Sequence, residues 1–119
     1  MLSASPEFFV KGGAATTGIP EEKIHGIRSE VKEGRATGRV LEPVTYGPGK
    51  VRKLLELLEQ IRKENPGREV YVLAGFGNSY HTDGDFLTWI AAQRFPAAKP
   101  VAVMINGGDA PARYAKLFR

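Results

Sequence analysis

From Gly49 to Glu64 the apolar residues Val51, Leu54, Leu55, Leu58 and Ile61 recur three or four positions apart, with Lys, Arg and Glu between them. That spacing predicts an amphipathic helix, stopped by Asn65-Pro66-Gly67. Beyond the stop, "EVYVLAGFG" (69–77) is a short, unbroken apolar run, which predicts a buried strand, and "PVAVMING" (100–107) predicts another. Between them "FLTWIAAQRF" (86–95) predicts a helix with Asp83 or Asp85 as its cap, and "APARYAKLF" (110–118) predicts a last helix. Nearer the start, "EFFVKGGAATTG" (7–18) predicts a helix entered at Pro6 and left at Gly18, weakened by Gly12 and Gly13. Ile24 and Ile27 fall in a short extended segment after Pro20. "RSEVKEGRATGRVLEPVTYG" (28–47) then alternates polar and β-branched residues around Gly34 and Gly38, as a solvent-facing antiparallel hairpin does.

Alternating apolar strands and helices predict an α/β fold: a Rossmann-like, mainly parallel open sheet flanked by helices, with the hairpin as a flap. Ligands of such sheets gather at the carboxyl ends of the strands. The 119 residues fit one domain spanning 1–119. No apolar run approaches the roughly 20 residues of a spanning helix, so no membrane partner is expected. Cysteine is absent, which removes disulfides and thiolate metal sites. "MLSASPEFF" lacks the basic flank and apolar core of an export signal, and the expected location is cytoplasmic. The net charge of +4 favours anionic partners. Lys and Arg are interspersed with acids, so a solvated basic surface is expected before a nucleic-acid interface, and RNA binding ranks last among the readings.

The stretch "GFGNSYHTDGDF" (75–86) follows one predicted strand. Backbone N–H groups at Gly75 and Gly77 could face an anion there, and Asn78, Asp83 and Asp85 carry the oxygen ligands that suit magnesium. The same residue types also build ordinary turns. A dinucleotide fingerprint fits poorly because Tyr80 stands where the third glycine belongs, and "GPGK" is followed by Val51, not the Ser or Thr of a Walker loop. His25 and His81 have no partners at zinc spacing. His81 reads as a turn residue or a substrate contact, Trp89 as core, and "NGGDAP" (106–111) as a turn or part of the ligand crevice.

"LSASPEFF", "YGPGKVRKLLELL" and "GFGNSYHTDGDF" come in the order of the second, third and fourth motifs of haloacid dehalogenase-superfamily phosphatases, and the chain resembles their phosphoserine-phosphatase-like branch over nearly its whole length. The resemblance implies that Ser3, with Ser5 as a near neighbour, hydrogen-bonds a phosphoryl group. It implies that Lys50 stabilises that group, and that Asn78, Asp83 and Asp85 hold magnesium or orient its waters and the lysine. The segment Tyr80 to Thr82 is an insertion relative to the fourth motif. The family's nucleophile motif, DxDx(T/V), does not occur, because Asp83-Gly84-Asp85 occupies the place of the fourth motif. In the family the nucleophile's strand lies between the strands of the second and fourth motifs. The resemblance therefore implies the C-terminal portion of such a domain, missing its central first strand and open to pairing with an N-terminal segment or another chain. The expected function is magnesium-dependent hydrolysis of a small phosphorylated substrate through an aspartyl-phosphate, with this chain inactive alone. The alternative is a non-catalytic phosphate-binding or protein-interaction module on the same fold.

Overall fold

In the computed structural model the described residues are 1–106 and 115–118. The order is β1 (Leu2–Pro6), α1 (Glu7–Ala14), a 3-10 turn (Glu21–Lys23), β2 (His25–Lys32), β3 (Arg35–Leu41), α2 (Pro48–Glu64), β4 (Ala74–Gly77), α3 (Tyr80–Ala92), β5 (Val101–Asn106) and β6 (Ala115–Phe118).

Local chemistry accounts for most of these elements. Pro6 caps α1 and Glu7 lies in its first turn, where a negative charge complements the helix dipole. Glu7 also pairs with Lys11 one turn on, at 3.3 Å. The β2–β3 hairpin turns at Glu33 and Gly34, both at positive φ (50° and 75°), which a two-residue turn between twisted strands requires. Its β3 strand is exposed along nearly all its length, as a flap would be. Pro48 opens α2, and Asn65 closes it by donating its side-chain amide to the carbonyl of Ile61 at 2.9 Å.

The strands form two separate sheets. One has the order β1-β2-β3, with β1 parallel to β2 and β2 antiparallel to β3. The other, β4-β5-β6, is parallel throughout. Among the described residues the fold is thus a mixed α/β arrangement with mainly parallel pairing and no closed barrel, in two sheets and not the single open sheet that the sequence predicts. Leu87 of α3 packs on Ala102 and Met104 of β5, with Phe86 and Ala91 around them. The two sheets leave a cleft between β1 and β4, and both strands line it. The radius of gyration, 15.5 Å, exceeds the ~13.5 Å of a well-filled chain of this length. Among the described residues no helix is long and apolar enough to cross a membrane.

Several boundaries expected from the sequence need correction; α1, for one, ends at Ala14 and not at Gly18. The apolar run at 69–77 yields a strand of only four residues, Ala74–Gly77. That strand is covered on one face alone: Gly75 and Gly77 are buried, whereas Phe76 is 60% exposed. The helix expected over 86–95 begins earlier, at Tyr80 after the cap Ser79. Residues 115–118 of the last predicted helix form β6, paired with β5 from Val103↔Ala115 to Asn106↔Phe118. Four residues define no period, and the edge of β5 offers them a hydrogen-bonded ladder. The rest of that helix, and "NGGDAP" beyond Asn106, lie outside the described residues.

Candidate functional site

Lys50 is the residue around which the site is built. Gly47, at φ 49°, precedes α2 as its cap. Two residues on, a Cβ at Gly49 would stand 1.6 Å from the carbonyl oxygen of Val44, so the helix can start this close to the 42–47 loop only with glycine there. The buried Thr45 donates its hydroxyl to the carbonyl of Ser3, which fastens the same loop to β1. Lys50 is thereby carried into the interior at 5% exposure, beneath the end of β1.

Its partner comes from α3. Asp83, 6% exposed, accepts a hydrogen bond from the Lys50 ammonium on Oδ1. Its Oδ2 accepts the backbone N–H of Asn78 at 3.0 Å and of Ser79 at 3.3 Å. The carboxylate reaches back over the start of its own helix and satisfies N–H groups that have no partner within the helix. Gly77 makes this approach possible, since a Cβ there would meet the Asp83 Cβ at 2.7 Å. The glycines of "GFGNS" therefore serve close packing of β4 on α3. The N–H groups that meet an anion are those of Asn78 and Ser79, where the sequence pointed to Gly75 and Gly77, and the anion is the carboxylate of Asp83.

Ser3, Ser5, Lys50, Gly77, Asn78 and Thr82 surround a cavity of about 450 Å³, with Asp83 in its wall. The Ser3 hydroxyl oxygen accepts the N–H of Ser5 at 3.2 Å, which leaves its proton available to a ligand. Of the residues expected at the site, the structure brings together Ser3, Lys50, Asn78 and Asp83, with Ser5 beside them. Asp85 stands apart. It is exposed, and its Oδ2 is 3.3 Å from where a Cβ of Gly47 would be. The cause is the early start of α3: Tyr80 to Thr82 form its first turn, and two residues on a helix are turned by about 200°, so Asp83 and Asp85 cannot share a face.

Sequence reasoning missed Thr45 and Thr82. A buried threonine whose role is to bridge two distant segments leaves no local pattern. It also missed the edge-on contact of Tyr46 with His81, centroids 6.0 Å apart, which joins the loop before α2 to the first turn of α3.

A second cavity of about 820 Å³ continues the first along the cleft, and Lys50 and Asp83 border both. His25 lies on its wall. Burial pushes the His25 imidazole below its usual pKa; Lys53 and the terminal ammonium push the same way, while Glu7 opposes them. Burial would raise the Glu7 carboxyl, but the N–H of Gly26 at 3.1 Å and the nearby Lys11 outweigh it and hold the group below its usual range.

As for a cation, no group of three or more His, Cys, Asp or Glu side chains occurs among the described residues. A carboxylate offers about four acceptor positions, and Asp83 uses its oxygens on Lys50, Asn78 and Ser79. What remains, with the side-chain oxygen of Asn78, fits an ion that arrives on a phosphate and keeps most of its water, as magnesium does. It does not fit an ion caged wholly by protein. No family model matches the chain, and no curated protein or solved structure matches it.

Proposed function

We propose that the chain supplies the phosphoryl-binding part of a phosphatase-type hydrolase of the haloacid dehalogenase kind, on a Rossmann-like scaffold, for a small phosphorylated substrate. One observation carries the reading. Ser3, Lys50, Asn78 and Asp83 come from three segments far apart in sequence and border a single cavity. The chemistry suits a phosphoryl group, whose transfer is governed by positioning and charge stabilisation. Lys50 presents a buried ammonium, Ser3 a hydroxyl proton, and Asn78 an amide. Asp83 is a positioning residue: it holds the lysine in place and compensates its charge. Since its carboxylate is engaged by Lys50 and two N–H groups, it is poorly placed to attack phosphorus.

Magnesium belongs to this proposal as a cation carried with the phosphate, with Asn78 and Asp83 as the protein groups that would hold it. When bound it would neutralise charge on the phosphoryl oxygens. Lys50, Ser3 and Asn78 bind and orient the phosphate from this side, and the attacking aspartate lies outside this sequence. A second reading, a phosphate-binding module without catalysis, is favoured by that same missing motif.

Calorimetry with inorganic phosphate in magnesium-containing buffer tests the proposal. Saturable binding is expected, weakened about tenfold or more in Lys50→Met. Asp83→Asn should also weaken it and lower stability by about 3 kcal/mol, because it leaves a buried cation uncompensated. Equal phosphate binding by a folded Lys50→Met variant would refute the proposal. With a generic aryl phosphate, the chain alone should show no turnover. Turnover abolished by Asp83→Asn at unchanged phosphate affinity would overturn the positioning role.

A further inference from the structure

We infer that the larger cavity holds the alcohol part of the phosphorylated substrate and that this part is a flexible apolar chain, so that the ligand is a phosphomonoester of a medium-length aliphatic alcohol. The inference rests on the phosphoryl-binding reading and adds the substrate class to it. The two cavities meet at Lys50. Met1, Leu2, Lys50, Phe76 and Asp83 line both, so a phosphate held against the Lys50 ammonium can direct its ester oxygen into the larger space.

α2 forms the floor of that space. Lys50, Leu54, Leu57, Ile61 and Glu64 all border it, and their alternating spacing of four and three positions keeps them on a single helix face. From Lys50 to Ile61 the helix climbs about 16 Å. The three side chains between Lys50 and Glu64 on this stripe neither donate nor accept a hydrogen bond. Leu2 and Phe76, from the two sheets, and Phe86 of α3 complete the walls. Ile61 is 42% and Phe76 60% exposed, apolar surface that a chain would take out of water. Gln60 and Glu64, both exposed, border the end of the floor away from Lys50. The half-buried His25 in the wall is neutral near pH 7, because burial depresses its pKa, and it brings no charge to the apolar space. The volume, about 820 Å³, lies within the range of small-molecule sites, roughly 300–1,000 Å³. A sugar, an amino acid or a nucleoside on the same phosphate would give up hydrogen bonds to water along this stripe and gain none from it. An aliphatic chain gives up nothing polar.

Calorimetry of the full chain with inorganic phosphate, butyl phosphate and octyl phosphate, the last kept below its micelle-forming concentration, tests the inference. A buried methylene is worth about fourfold in affinity, so octyl phosphate should bind about tenfold or more tighter than butyl phosphate even if its tail is only partly covered. Lys50→Met should weaken octyl phosphate by about tenfold or more, because the phosphate anchors the tail. Leu57→Gln should cut the octyl-to-butyl ratio by about threefold or more, whereas Val31→Gln, on the hairpin, should leave that ratio unchanged. Should Leu57→Gln fail to fold, backbone amide shifts of the parent chain locate the tail: octyl phosphate should move Leu54, Ile61 and Phe76 further than inorganic phosphate does. Saturable binding of inorganic phosphate with octyl phosphate no tighter than butyl, or octyl shifts that miss α2, would overturn the inference and leave the phosphoryl site standing. Octyl phosphate bound equally by Lys50→Met and the parent would overturn it, as would a dimer of the chain that excludes octyl phosphate. If none of the three phosphates binds, the phosphoryl site and this inference fall together.

Discussion

The pairing of Lys50 with Asp83 shows what individual residues reveal in the sequence and what they conceal. Lys50 stood out because "YGPGKVRKLLELL" resembles the third motif of haloacid dehalogenase-superfamily phosphatases, and its role was implied by that resemblance alone. Asp83 and Asp85 were equivalent as letters, and only the starting point of α3 separates them: one is buried against Lys50, the other rests by Gly47. Sequence carries weak information about where a helix begins when Ser79, Asp83 and Asp85 can all serve as caps. His25 offers a test at this scale. Its imidazole titrates below 6.5 in the folded chain, chiefly through burial. The unfolded chain therefore binds more protons in the window from the depressed value up to the ordinary one, and stability falls as pH drops through it. Urea unfolding midpoints between about pH 7.5 and 5.5 should decline in the parent chain and decline less in His25→Gln. The acid loss from Glu7 has the same direction but belongs below 4.5, the ordinary value for that carboxyl, and should persist in the variant.

At the level of elements, those with a strong repeat were legible: α2 by its apolar spacing, and the hairpin by alternation around Gly34. The short ones were not. β4 was read as a long buried strand because apolar residues from Val70 to Phe76 are continuous, yet only Ala74–Gly77 is strand, and its far face stands open to the cleft. β6 was read as helix because four residues carry no periodicity of their own, and the partner that selects the strand, β5, is distant in sequence. The entry to α2 makes a sharp prediction. Gly49→Ala places a methyl group on the backbone carbonyl of Val44, and neither can yield as a side chain would. Loss of about 2 kcal/mol or more is expected, with weakened phosphate binding because Lys50 moves with the helix. Gly67→Ala is the control: it has positive φ (78°) and nothing within 4 Å, so it should lower stability by about 1 kcal/mol and leave binding alone. Thermal unfolding with phosphate calorimetry distinguishes the two.

For the molecule as a whole, two three-stranded sheets border a cleft that carries polar groups at one end and apolar ones along its length. The ordering of the three polar segments along the chain pointed to their convergence, because parallel connections return each strand's end to the same edge. The cleft itself is a property of strands with no neighbour, which no local pattern records. The account stands on Ser3, Lys50 and the Asn78 to Asp83 turn acting as one anion site. Backbone amide chemical shifts followed during a titration with inorganic phosphate test this most directly. Ser3, Lys50 and Asn78 should move together on one saturation curve, and that curve should vanish in Lys50→Met. Shifts confined to a single segment, or scattered over the exposed Lys and Arg of α2 without saturation, would contradict it.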